Sequence, residues 1–194
     1  MKKLSMSLLL AVVLALALAS VAFAQGGTHQ REFRAKLATL NQSGATGVAD
    51  LTLRGRRLEA EIKTRGLEPN LHHLQHIHGM AQAISECPTL AADTDGDGLV
   101  SVAEGAPFYG PIQVSFTETG DTSAASGGAL DRFPLANAKG RLDYSRTFRI
   151  PADVAANVGD FAIVQHGVDL NGNGSYDNAM EVSLPATCGK IVRN

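Results

Sequence analysis

The sequence predicts an all-β fold, a Greek-key β-sandwich or barrel of about eight antiparallel strands joined by long loops. Apolar and polar residues alternate with a period of two along several short segments, which is typical of strands with one buried face. The chain has 20 glycines and no tryptophan among 194 residues, a composition that favours a turn-rich fold. It lacks the long amphipathic pattern that a helix bundle requires. A chain of this length can bury a substantial core as one domain.

Eight segments carry the strand pattern. The clearest are 48–53 and 58–64, in which apolar residues recur at every second position on either side of a turn at 54–57. This arrangement predicts an antiparallel hairpin with one exposed face. The predicted strands cover residues 31–40, 48–53, 58–64, 72–80, 112–117, 141–150, 161–166 and 189–192. The connections 81–111 and 118–140 are longer than simple turns, and we expect them to carry function or to be disordered.

Residues 1–24 have the pattern of a secretory signal peptide. Two lysines near the start precede an apolar run of 12 residues, Leu8–Ala19, and small residues follow at Ala22 and Ala24. This run is too short to cross the ~30 Å of bilayer hydrocarbon, so no membrane span is expected after cleavage. The sequence predicts a single domain, 25–194, in a secreted or periplasmic location.

The charge balance and the cysteines narrow the class of protein further. A formal net charge of -2 excludes the broad basic surface of a typical nucleic-acid binder. Two cysteines in an exported chain, Cys87 and Cys188, predict one disulfide. The alternative is a pair of free, buried thiols.

Residues 93–104 match the twelve-residue calcium-binding loop of an EF-hand position by position. Acidic side chains occupy positions one, three and five, a glycine takes the sharp turn at six, and a glutamate takes position twelve. Ca²⁺ binds roughly six to eight oxygen atoms, which this spacing supplies. The alternative is an acidic surface turn. The predicted ligands are Asp93, Asp95, Asp97, Leu99 through its carbonyl, Ser101 through a water molecule, and Glu104.

Residues 169–177 repeat the first nine positions of this pattern with weaker ligands. Met180 takes position twelve, where it cannot ligate Ca²⁺ well, and Glu181 lies one residue too late. The loop is therefore either a weaker calcium site or an Asx turn of the same geometry. Its candidate ligands are Asp169, Asn171, Asn173 and Asp177. Both loops are expected to lie between β or irregular segments rather than between paired helices.

Four of the six histidines lie between positions 72 and 78. On a strand, His76 and His78 point to the same side because side chains alternate, and His166, at the end of another predicted strand, could supply a third ligand. Imidazole suits copper, zinc or nickel, so this trio is a candidate copper site; the alternative is a structural role. His72 and His73 are expected to be structural or exposed, although either could add a ligand.

Two families resemble this chain. Gly66-Leu67 followed by Gln75-His76-Ile77-His78-Gly79 resembles the CHRD domain, which also occurs in secreted bacterial proteins. Residues 31–192 resemble the Cu,Zn superoxide dismutases, which are eight-stranded Greek-key β-sandwiches. In that family, copper is held by histidines of an H-x-H strand and by a histidine at the end of a later strand. His76-Ile77-His78 resembles the first motif, and Ile163-Val164-Gln165-His166 resembles the second. The resemblance also implies a disulfide between Cys87 and Cys188, which is followed by Gly189 as in the family's C-G motif.

The chain departs from the dismutase pattern at the residues that dismutation needs. No histidine lies between Ala81 and Ile163, so the family's bridging and zinc histidines are missing and the 93–104 loop takes their place. The guiding arginine expected before Cys188 is also absent. Dismutase activity is therefore not predicted.

Three functions remain open. The leading one is a secreted, non-enzymatic module in which calcium orders surface loops. The second is a copper protein or cuproenzyme that uses the histidine trio in the cell envelope. The third is a calcium-dependent adhesion protein with an extracellular protein or surface as its partner.

Overall fold

The computed structural model describes residues 29–80 and 86–194, and the predicted signal peptide lies outside them. Eight strands and three short α-helices make up the regular structure. The strands are β1 Gln30–Thr39, β2 Thr46–Arg54, β3 Arg57–Arg65, β4 Gln75–His78, β5 Ile112–Ser115, β6 Arg141–Arg149, β7 Ala162–His166 and β8 Pro185–Arg193. The helices are α1 Val102–Tyr109, α2 Ala152–Asn157 and α3 Ala179–Ser183. Within the described residues, no helix is long and apolar enough to span a membrane.

The strands form one curled sheet in the order β5-β4-β7-β8-β1-β2-β3-β6, and every neighbouring pair is antiparallel. The predicted hairpin is the β2–β3 pair, which is in register from Thr46↔Arg65 to Arg54↔Arg57. The prediction of an all-β fold with about eight antiparallel strands is confirmed.

The inner face of the curled sheet surrounds one hydrophobic core to which every strand contributes. Side chains on the inner face alternate with exposed ones, as in β1, where Phe33, Ala35 and Leu37 are buried. One buried residue from each strand illustrates the core: Phe33, Leu51, Ile62, Ile77, Val114, Leu142, Ile163 and Ile191. The period-two pattern therefore identified the face that drives folding, because burying apolar area is the dominant favourable contribution.

The two end strands, β5 and β6, close the curled sheet through side chains instead of a backbone ladder. The Phe116 ring, just after β5, packs edge-on against Tyr144 of β6 with centroids 5.7 Å apart. The Tyr144 hydroxyl donates to the Thr117 carbonyl at 3.2 Å, and the Arg146 guanidinium donates to the same carbonyl at 2.7 Å. This side-chain closure is referred to below as the seam.

The largest differences from the predicted strand boundaries are at β4 and β8. The segment 72–80 was expected to be a strand throughout, but β4 covers only Gln75–His78. Its first part pairs elsewhere, since the His73 amide donates to the Pro134 carbonyl and His72 forms an isolated bridge with Leu135. In contrast, β8 begins four residues before the predicted start at 189, because its early residues pair with β7 and β1.

Gly140 forms a turn that only glycine fits, and its substitution gives a test of the fold. Its φ is +65°, and a Cβ there would lie 2.3 Å from the Leu67 carbonyl oxygen. We expect Gly140→Ala to lower the free energy of unfolding by more than about 1 kcal/mol, measured by urea denaturation. Gly128→Ala is the control, because its Cβ would meet nothing within 4 Å. Equal stability of the two variants would contradict the assignment.

Candidate metal centre

The histidine site forms where β4 and β7 lie side by side. His76 pairs with Val164 and His78 with Ala162. Ile77 and Ile163 belong to the inner core, whereas Ala162 and Val164 pack with Tyr109 and the disulfide in a second cluster on the opposite face. Because side chains alternate along a strand, His76 and His78 lie on this outer face, beneath the long connections that cover it.

The three predicted histidines converge. One ring nitrogen from each of His76, His78 and His166 lies within 4.8 Å of the others. The ring centroids are 5.2 Å apart for His76 and His166, 5.4 Å for His76 and His78, and 5.6 Å for His78 and His166. All three residues are buried, with 2–4% of their surface exposed. The i, i+2 spacing and the strand-end position thus led to three side chains that meet in space.

Each of these rings is held by a backbone carbonyl from a different covering segment. His76 Nε2 donates to the Gly127 carbonyl at 3.1 Å, and His78 Nδ1 donates to the Gly110 carbonyl at 2.9 Å. His166 Nδ1 donates to the Ser183 carbonyl at 2.6 Å. A neutral imidazole has one N–H, so each bond fixes the tautomer and leaves the other ring nitrogen as an acceptor.

The remaining nitrogens have no hydrogen-bond partner among the described residues. They are His76 Nδ1, His78 Nε2 and His166 Nε2, and each exposes less than 1 Å². A buried polar atom without a partner costs about 1–3 kcal/mol, and three such atoms in one place call for a ligand. A metal ion fits this donor set, because metal-binding histidines donate their other N–H to an oriented acceptor.

Burial keeps the cluster neutral. Desolvation lowers the pKa of His78 to about 4. Desolvation, together with the neighbouring His78, lowers the pKa of His166 to about 3. Desolvation, followed by the proximity of His166 and His78, puts the pKa of His76 well below its ordinary value. At neutral pH the three rings are unprotonated, which is the form that binds metal ions.

His72 and His73 do not join the cluster. His72 Nδ1 lies 2.6 Å from the Phe133 carbonyl. The ring of His73 lies between the Glu68 and His166 carbonyls, at 3.1 and 3.0 Å, and beside the Tyr176 hydroxyl. The contacts of these two rings are with backbone carbonyls and a tyrosine hydroxyl.

The first acidic loop, 93–104, brings together part of its predicted ligand set. Carboxylate oxygens of Asp93, Asp95 and Glu104 lie within 4.8 Å of one another. Glu104 accepts backbone N–H groups from Thr94 and Ser101, and these bonds lower its pKa to about 2. A permanently ionised carboxylate at this position is the form that a divalent cation requires.

The other predicted ligands of this loop have different contacts. Asp97 lies outside the carboxylate group and accepts the Leu99 N–H at 2.8 Å. Ser101 caps α1, with its side chain bonded to the Glu104 amide. The expectation of β or irregular flanks is wrong on the outgoing side, because α1 begins directly after Ser101; the capping box that it forms with Glu104 satisfies the first free amides of the helix.

In the second loop, 169–177, side chains bond to one another. The Asn171 and Asn173 amides donate to Asp177 at 2.7 and 2.9 Å, and these bonds lower the pKa of Asp177. Asp169 accepts the Gly172 and Gly174 N–H groups, as in an Asx turn. A helix, α3, follows here too, so the expected outgoing flank is again wrong.

Glu181 is the counterpart of Glu104, although the sequence places it one residue too late for position twelve. Its buried carboxylate accepts the Leu170 N–H at 3.1 Å and the Asp177 N–H at 2.6 Å. Both glutamates are the third residue of a helix, capped by Ser101 in one case and Asn178 in the other. The second loop has one more residue than the first between its first aspartate and the residue that caps the helix. This extra residue explains why Glu181 lies one position later than Glu104 does. The Asn-x-x-Glu spacing of a helix start was the available signal.

Each acidic loop leads through a short helix to one histidine. Helix α1 ends at Tyr109, whose ring packs on His78 with centroids 4.8 Å apart, and the next carbonyl, Gly110, holds the His78 ring. Helix α3 ends at Ser183, whose carbonyl holds His166. The sequence gave no indication of these carbonyl contacts, since any residue type supplies a carbonyl.

The predicted disulfide is confirmed. Cys87 and Cys188 are bonded, with Cα atoms 5.6 Å apart, and the described residues contain no free cysteine. Cys188 lies on β8 opposite Val164 of β7. The bond therefore attaches the start of one covering connection to the strands that carry the histidines.

No protein-family model matches the sequence, and no curated protein matches it. Among solved structures, a Cu/Zn superoxide dismutase from Brucella abortus is similar, with 17% sequence identity, a TM-score of 0.40, and coverage of 82% of this chain and 98% of that chain. The resemblance to CHRD domains stays a prediction.

Proposed function

We propose that this protein binds a transition metal ion, copper first among the candidates, on His76, His78 and His166 in the cell envelope or outside the cell. The observation that carries the proposal is the convergence of three buried histidines, each of which has a ring nitrogen without a hydrogen-bond partner among the described residues. Imidazole is the ligand that copper and zinc share in proteins. When bound, such an ion would supply a Lewis-acid or redox centre; the protein's part is to hold three neutral ligands in fixed orientations.

Binding or carrying the metal is the function we propose, rather than catalysis. A catalytic site keeps a coordination position open to substrate, whereas the three nitrogens here are shielded from solvent. An extracytoplasmic location fits the predicted signal peptide, 1–24, and the Cys87–Cys188 disulfide, because such bonds persist in oxidising compartments.

The metal content of the protein tests this proposal. We expect elemental mass spectrometry of protein isolated from the periplasm or medium to find one transition metal ion per chain. His76→Ala should lose it, whereas His29→Ala, an exposed histidine, should keep it. Wild-type protein that stays metal-free after incubation with copper and zinc would contradict the proposal.

We also propose that the loop 93–104 binds calcium and thereby orders the surface around α1. Support comes from the three carboxylates that converge there and from the low pKa of Glu104. The loop 169–177 is the weaker candidate, with Glu181 as its glutamate. Calcium here would stabilise the folded state by mass action.

Thermal unfolding with and without calcium tests the first loop. We expect Ca²⁺ to raise Tm, and Asp93→Asn with Asp95→Asn to remove most of this shift. Asparagine keeps the side-chain oxygens that accept the Gly96 and Asp97 N–H groups, removes both charges, and loses the second Asp93 oxygen, which accepts the Gly98 N–H at 2.9 Å. Asp131→Asn, at an exposed position, is the control. A full shift in the double variant would refute the assignment.

A further inference from the structure

We infer that the histidine cluster is built for a soft monovalent cation, Cu(I), in preference to Cu(II) or Zn(II). This inference rests on the proposed transition-metal site and adds the charge of the ion that the site selects. The observation behind it is that neither the ligands nor the groups bonded to them carry a negative charge.

The ligands stay neutral because their second nitrogens keep their protons. The acceptors of those N–H groups are the carbonyls of Gly110, Gly127 and Ser183. A carbonyl does not take a proton from imidazole, so none of the rings becomes an imidazolate. Many metal-binding histidines instead donate to a carboxylate, which adds negative charge to the site; here that charge is missing at all three positions.

No carboxylate supplies the negative charge that the three ligands and their acceptors lack. Among the described residues, the ionisable neighbours that lower the pKa of His76 are His166 and His78, and no aspartate or glutamate shifts the pKa of any of the three histidines. Residues 1–28 and 81–85 contain no acidic residue at all. An ion in this site therefore keeps its full charge.

The surroundings make that charge costly. The Phe133 ring packs edge-on against His76 with centroids 5.3 Å apart, and the buried Tyr109 ring packs on His78. Burial raises the pKa of Tyr109, so this side chain remains neutral as well. The Born cost of burying an ion grows with the square of its charge. A divalent ion bears a larger cost of this kind unless an anion such as hydroxide accompanies it into the enclosed site, whereas Cu(I) is well matched by neutral imidazoles alone.

Relative affinities of the wild-type protein test the inference. Burying an uncompensated charge costs several kcal/mol, and each 1.4 kcal/mol is tenfold, so we expect Cu(I) to bind at least about 100-fold more tightly than Cu(II). The reduction potential of the bound Cu(II)/Cu(I) couple should then be at least about 120 mV higher than that of aqueous copper, since each tenfold difference in affinity shifts the potential by 59 mV. Competition with Cu(I)- and Cu(II)-specific chelators under anaerobic conditions gives both constants, with Ag(I) as a redox-inert monovalent probe and Zn(II) as a divalent one.

A matched pair of variants isolates the effect of charge. A Cβ at Gly127 would lie 3.6 Å from His76 Nε2, and its closest obstacle is the flexible end of Ile112. The backbone there is right-handed helical, which any residue adopts. Gly127→Asp and Gly127→Asn have the same shape and differ in charge, so we expect the aspartate variant to show a roughly tenfold smaller preference for Cu(I) than the asparagine variant.

The outcomes separate this inference from the proposed function. Suppose Cu(II) or Zn(II) binds as tightly as Cu(I), and His166→Ala abolishes binding. The site would then stand, and the monovalent preference would be overturned. Equal Cu(II)/Cu(I) reduction potentials in the Gly127→Asp and Gly127→Asn variants would also overturn the monovalent preference. If no ion binds to the wild-type protein, the proposed function itself fails.

Discussion

Replacing both cysteines, Cys87→Ala with Cys188→Ala, is expected to lower the free energy of unfolding by about 4–5 kcal/mol. The bond joins residues separated by 101 positions. In the chain-entropy model, opening a loop of this size restores that much conformational freedom to the unfolded chain. Since small domains have only about 5–15 kcal/mol of stability in total, the variant should be close to unfolding at 37 °C. Alanine suits the buried Cys188 position, where a hydroxyl would need a partner.

Urea denaturation of the wild-type protein, with and without reductant, measures this effect. Reductant should destabilise the wild-type protein and leave the double variant unchanged, which separates loss of the bond from other effects of the reductant. A loss of less than about 1 kcal/mol would contradict the expectation, because it would mean that the unfolded chain gains little freedom.

Acid is expected to destabilise the metal-free protein between about pH 6.5 and 4, before most of its carboxylates titrate. The pKa values of His76, His78 and His166 are lower in the folded state than the ordinary 6.5, at about 4 for His78 and about 3 for His166. Below pH 6.5 the unfolded chain therefore binds protons that the folded chain does not. The free energy of unfolding falls as the pH falls, by on the order of 1 kcal/mol per pH unit for each histidine.

Urea titrations of metal-free protein at pH 7, 6 and 5 measure this slope. His78→Leu removes one titrating group, so its slope should be smaller than that of the wild type by one histidine's share. His29→Leu, at an exposed position outside the cluster, should keep the wild-type slope. A urea midpoint that does not change from pH 7 to pH 5 would contradict this expectation, because it would show that protonating the three histidines costs the folded state no free energy.

The strands and the histidine trio could be predicted because local patterns determine them. Alternating burial in β2 and β3 follows directly from residues such as Leu51 and Ile62, and the i, i+2 rule placed His76 and His78 on one side. In contrast, β6 pairs with β3 across a long stretch of chain. Sequence periodicity indicates which face of a strand is buried and not which strand lies beside it.

The helices after the acidic loops could not be predicted from propensity. Helix α1 contains Gly105 and Pro107, two residues that disfavour helix interiors. It forms because Ser101 and Glu104 cap its first turn and because Tyr109 is buried against the histidine site. Tertiary contacts outweigh weak local preference in such a short helix.

The seam between β5 and β6 has a consequence for self-association. Strand β6 is hydrogen-bonded to β3 on one side and meets β5 on the other side through the side chains of the seam, so the backbone of that second edge could recruit a strand from another molecule. Arginines line this strand at positions 141, 146 and 149, and two of them are exposed. Asp143 is the one acidic residue of this strand, so two copies that approach edge to edge bring together strands of net positive charge, and their repulsion disfavours this association. A concentrated solution should therefore tolerate low salt better than high salt, which screens that repulsion.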